Sequence, residues 1–245
     1  MLTDTMTVFQ KEWKEAFHNR GIRGYLFNWI LLALLIGVYM PINVGPEWFK
    51  SPIILLMWSW PPLQLVSGMV ADSFAGEKER HTLETLLSTR LPDLSIFSGK
   101  IMTGLVYAGT LFPASLLIAA VTVNLVHPSP DGIQFYAPGM LLQVLGIHYL
   151  SLILIAAIGM LVSMKSNSVK SAYQKIAVVI LVLALTPSLG IGLLSPDIKT
   201  QLTKMIAQPQ LGVGGLIAAL IMLVADVILI IISLSNFKRS QLLSA

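Results

Sequence analysis

Seven polar or ionisable side chains stand inside long apolar runs of this chain: Gln64, Ser67, Asp72, Asn124, Gln143, His148 and Asp226. An ionisable group in hydrocarbon is costly, so each needs a reason to be there. Asp226 lies within 216–232 with apolar neighbours on both sides. It fits a proton or cation site, and it fits equally a protonated, hydrogen-bonded contact between helices. Asp72 falls near the end of its run, at headgroup level, where carrying a charge is cheap. His148 reads as a hydrogen-bonded packing residue rather than a ligand.

Other chemistries find little footing. No group of His, Asp and Glu shows metal-ligand spacing along a helix, so no metal is expected. The chain has no cysteine, which removes disulfides, thiolate metal sites and cysteine nucleophiles. Ser67 sits in Leu65-Val66-Ser67-Gly68, without the glycine that precedes a serine-hydrolase nucleophile, so a Ser67–His148 hydrolase is disfavoured. Gly99-Lys100 is followed by Ile101, and Leu94 stands where a phosphate loop needs its first glycine. No cofactor is therefore expected on this chain. The basic residues form no contiguous surface interleaved with aromatics, so nucleic acid is not an expected partner.

The elements that must position these groups are membrane helices. Of 245 residues, 55% are hydrophobic and 11% charged, against roughly 25% charged in a soluble domain. The apolar residues come in blocks long enough to cross a bilayer, at 24–40, 53–72, 100–126, 138–163, 176–194 and 212–236. The expected fold is all-α: a polytopic membrane protein with six transmembrane helices and one domain over 1–245. Placing both termini in the cytoplasm puts thirteen of the sixteen Lys and Arg residues on the inner side, as the positive-inside rule favours. The expected location is thus the cell membrane, multi-pass, in contact with lipid. Pro61-Pro62, Pro113 and Pro187 interrupt hydrogen bonding within three spans and are expected to kink them.

Two segments lie outside the spans. Over 6–23, Met6, Phe9, Trp13 and Phe17 recur at helical spacing, with Lys11, Glu12, Lys14 and Glu15 on the other side. This pattern predicts an amphipathic helix in the membrane interface. Over 76–90 lies the densest charged stretch of the chain, expected as a short cytoplasmic helix that Pro92 stops. Glu77 and Glu79 fall in its first turn and Arg90 in its last, Arg80 and Glu84 are spaced to pair, and Leu83, Leu86 and Leu87 form an apolar stripe.

That stretch carries a resemblance. Gly76, Glu77, Lys78, Glu79, Thr82, Leu83, Glu84, Leu86, Leu87, Thr89 and Pro92 follow a pattern that resembles the membrane subunit of type-2 ATP-binding-cassette (ABC) exporters. The motif covers under a tenth of the chain, and the six spans, inside termini and N-terminal interfacial helix extend the likeness. The resemblance implies a permease without an ATPase site of its own. It would pair with a second or homologous permease copy and dock ABC ATPase subunits that bind ATP and Mg. The segment 76–90 would be the coupling helix, with Glu77, Lys78, Glu79, Arg80, Thr82 and Glu84 toward the ATPase and Leu83 and Leu87 anchoring it to the membrane domain. The translocation path would run along Met57, Pro61, Gln64 and Gly68 of the second span and Thr186 and Ser188 of the fifth. The alternative is an ion- or proton-coupled secondary transporter working through Asp226.

Overall fold

The computed structural model describes residues 2–19, 22–192, 195–198, 200–201 and 212–237. Among them the chain is helical and contains no strand. Among the described residues five helices are long and apolar enough to cross a membrane: Leu26–Phe49, Pro52–Glu79, Asp93–Val126, Pro138–Met164 and Gly214–Asn236. This is the architecture of an all-α multi-pass membrane protein. The span expected at 176–194 falls on a helix, Val169–Gly192, whose later side chains lie partly outside the described residues.

Helix α1 (Leu2–Asn19) packs along α7 (Asp93–Val126). The face it turns toward α7 is separate from the aromatic stripe, which the spacing assigns to the membrane interface. Val8 is buried against Gly99, while Phe9 and Trp13 are half-exposed with their rings 5.6 Å apart. Lys11 and Glu12, expected in water, turn toward the body of the protein because charges buried there need counter-charges.

Helix α2 (Ile22–Leu34) runs on through a π-helical turn (Leu35–Tyr39), α3 (Met40–Val44) and a 3-10 turn (Gly45–Phe49). The π turn closes with the Met40 amide donating to the Leu35 carbonyl, one residue wider than an α-helical bond. A loop was expected over 41–52, but the helix runs on past Pro41; its ring supplies no N–H to the preceding turn, and the Gly37 carbonyl there accepts from the Thr122 hydroxyl at 2.9 Å. Trp48 and Phe49 then turn back into the core. The Trp48 indole donates to the Tyr136 hydroxyl at 3.2 Å, and that hydroxyl donates to the Leu116 carbonyl at 3.0 Å.

The second span is split into α4 (Pro52–Trp58) and α5 (Trp60–Glu79). The break at Ser59 immediately precedes Pro61-Pro62, whose rings remove two amide donors. By contrast α7 continues through Pro113. Helix α5 lies centrally against α7, α8 (Pro138–Met164) and α9 (Val169–Gly192), and α10 (Gly212–Asn236) leans on α8.

The expected helix over 76–90 is two helices and a turn. Helix α5 continues to Glu79, and α6 is only Leu83–Leu87. Between them His81 adopts φ 57°, its amide donates to the Lys78 carbonyl at 3.1 Å, and the Thr82 amide donates to the Glu77 carbonyl at 2.9 Å. Those two bonds around a left-handed residue form a Schellman stop. Pro92 accordingly ends nothing; it caps the start of α7.

Candidate functional site

One end of the bundle gathers charge from three helices, α1, α5 and α7. Glu77, on the last turn of α5, is 2% exposed. The Lys100 side chain, from the second turn of α7, is 0% exposed. Its ammonium donates to Glu12 Oε1 at 2.7 Å, to the Ser73 carbonyl at 2.8 Å and to Glu77 Oε1 at 3.3 Å. All three protons thus meet oxygen, as a buried ammonium requires. The Phe74 ring lies 5.4 Å from the same nitrogen. From α1, Lys11 donates to the same Glu77 oxygen at 3.0 Å, and the Thr82 hydroxyl donates to the other. Burial pulls the Lys11 ammonium down, yet Glu12, Glu77 and Glu15 together hold it above its ordinary value.

Glu12, Glu15 and Glu77 bring three carboxylate oxygens within 4.8 Å of one another. The Lys11 ammonium stands 3.3 Å from Glu15 and the Lys100 ammonium 2.7 Å from Glu12, so lysines already supply the positive charge. The arrangement is a structural junction that ties α1, α5, α7 and the turn before α6 together.

The residues of the charged motif fall into two groups here. Glu77 and Thr82 bond to each other within the junction, and Lys78 donates to the Met164 carbonyl at the end of α8, at 2.9 Å. Glu79 accepts the Val169 amide at 2.9 Å, placing a carboxylate at the start of α9 where the helix dipole favours it. Arg80 pairs with Asp72 at 3.1 Å instead of with Glu84, because the turn at His81 takes Glu84 off the helical face of Arg80. On α6, Leu83, Leu86 and Leu87 are buried to between 4 and 6% exposure, while Glu84, Thr85 and Ser88 are exposed.

Elsewhere, Met57 of α4 is 69% exposed, and Pro61, Gln64 and Gly68 of α5 are half-buried. A side chain added at Gly68 would meet nothing within 4 Å. The side chains of Thr186 and Ser188 lie outside the described residues. Asp226 is 3% exposed, and neither carboxylate oxygen has a hydrogen-bond partner among the described residues. His148 is also without a hydrogen bond there. It packs by its ring, 4.6 Å from Phe112 and 5.5 Å from Tyr149.

Sequence reading overlooked Lys100, Lys11 and Glu12 as members of this junction. The available signal was a lysine seven residues into a long apolar helix, a position that demands a counter-charge. Compared with known proteins, the chain matches no family model and no curated sequence.

Proposed function

We propose that this chain is the transmembrane permease subunit of an ATP-driven ABC exporter, working as a dimer and coupled to separate ATPase subunits. The observation that carries this reading is the division of α6, with three leucines sunk into the protein and Glu84, Thr85 and Ser88 offered to water. A solvated loop has no need of the leucines. Docked on that polar face, an ATPase subunit in the cytoplasm would bind the ATP and Mg. Its closure would push on a short helix whose preceding turn is bonded to the junction of α1, α5 and α7. Such a stiff connection is what a nucleotide-driven motion needs to reach membrane spans. Met57, Pro61, Gln64 and Gly68 then face the second permease copy across the path. Gln64 supports this placement, since a polar amide on an open helix face is poorly suited to lipid.

Purification of the chain together with the products of neighbouring genes tests the reading: an ATPase subunit should accompany it and hydrolyse ATP. In that complex Glu84→Arg should reduce substrate-stimulated hydrolysis by roughly tenfold while the permease stays folded, since the charge faces water. Full stimulation in the variant would remove α6 from the docking surface.

A second reading rests on Asp226, whose buried carboxyl lacks a hydrogen bond among the described residues. In an ion- or proton-coupled carrier, Asp226→Leu abolishes transport in vesicles; in an exporter, transport persists. The exporter reading also expects Asp226→Leu to melt in detergent at or above the parent temperature. Deleting an unsatisfied buried polar group should recover about 1–3 kcal/mol.

A further inference from the structure

Asp72 and Arg80 stand two helical turns apart at the end of α5, and their bridge passes over Gly76. A β-carbon at residue 76 would lie 2.9 Å from Arg80 Nη2 and closer still to the Asp72 carboxylate. Glycine there leaves the groove in which the bridge lies.

This bridge sits between two spaces. On one side is a cavity of about 40 Å³ lined by Met69, Asp72, Ser73, Thr103 and Arg80, with room for only a water or so. On the other is a cleft of about 390 Å³ lined by Lys11, Thr82, Thr85, Leu91 and again Arg80. Glu15 borders both. Arg80 and Glu15 thus share the wall between the two spaces, and Asp72 pairs with the Arg80 part of it. Neither side chain is sealed in: they are 20% and 43% exposed, so the contact can break without burying a lone charge. Arg80 is also the last residue before the left-handed turn at His81. A displacement of α6 reaches the end of α5 by two routes, along the backbone through His81 to Arg80 and through the Thr82 hydroxyl to Glu77.

We propose that the Asp72–Arg80 pair is a latch that shuts the small cavity against the larger cleft and opens when the turn at 80–82 moves. The identity of the mover, an ATPase acting through α6, rests on the function proposed above. The latch itself rests on the geometry.

The absence of native cysteine permits a direct test with single reporters. Met69→Cys in inside-out vesicles is exposed to a membrane-impermeant maleimide, without nucleotide or partner. Labelling should be slow in the parent background. Asp72→Asn and Arg80→Gln should each accelerate it by roughly two- to fivefold, the population shift an exposed ion pair can hold back. Asp72→Asn leaves the arginine in place, so acceleration there separates a latch from a steric plug. Gly76→Ala should accelerate labelling without removing either charge, and the exchange Asp72→Arg with Arg80→Asp should restore slow labelling. Unchanged rates in both single-charge variants, or fast labelling in the exchanged pair, would overturn the latch. A second reporter, Gln64→Cys, judges the path separately. If it stays unlabelled in the Asp72→Asn background while Met69→Cys responds, the latch stands and the path along α5 falls.

Discussion

Lys100→Met is expected to destabilise the folded protein by about 3–5 kcal/mol, the cost of removing one partner from a buried ion pair. The parent ammonium satisfies Glu12, Glu77 and the Ser73 carbonyl together, in a space its side chain fills with no exposure to solvent. Methionine fills most of that volume and supplies no proton. The Ser73 carbonyl loses a donor, and the Glu12 and Glu77 carboxylates keep only Lys11 to bridge them. Removing Glu77 as well, in Lys100→Met with Glu77→Gln, should return much of the loss, since the repelling charge leaves with its partner. Thermal unfolding in detergent reads both effects. A Lys100→Met protein that melts like the parent would mean that the junction is wet and its charges screened.

The second large effect concerns a residue with no side chain. A β-carbon at Gly99 would lie 2.6 Å from the β-carbon of Val8, 2.7 Å from its Cγ1 and 3.0 Å from the Thr5 carbonyl. Val8 is branched at that carbon and Thr5 presents backbone, so neither yields by turning a side chain. Gly99→Ala must therefore lift α1 from α7, at an overpacking cost of about 1–3 kcal/mol. The damage is directional. Lys11 and Glu12 follow Val8 by about one helical turn, so a raised α1 withdraws both from Glu77 and Lys100. Trypsin should then cut after Lys11 or Lys14 in the folded variant and spare the parent. Val8→Ala in the same chain makes room and should restore resistance, a coupling that distant or independent sites do not show. Equal trypsin resistance of Gly99→Ala and parent would place α1 elsewhere.

The membrane helices were legible because hydropathy is a local, additive property. Each run announces itself without reference to any other part of the chain. The junction is different in kind. Glu77 meets Lys11 across 66 positions, and Lys100 meets Glu12 across 88, so no window of sequence contains either pair. Lys11 and Glu12 looked solvated because their helix seemed to have only one buried face, whereas its charged side answers charges on α5 and α7. The segment 76–90 failed for a local reason. Its stop uses histidine in a left-handed conformation, at a cost of about 1–2 kcal/mol that glycine would avoid, so the usual residue that marks a helix end is missing. The leucine stripe on α6 survived that error because the three leucines lie on one short helix after the turn. Asp226 was conspicuous in sequence, but the absence of a bonding partner among the described residues became visible only in three dimensions.

The π-helical turn at Leu35–Tyr39 bears on how this chain should be aligned with others. Its closing bond spans five residues where an α turn spans four, so the turn accommodates a single surplus residue inside an otherwise continuous helix. A homologous chain with one residue fewer here can keep Ala33 before the turn and Trp48 after it at equivalent positions by closing the turn as ordinary α. The correct gap then falls within 35–39, in the middle of a helix, rather than in the neighbouring loop where alignments usually prefer to place it.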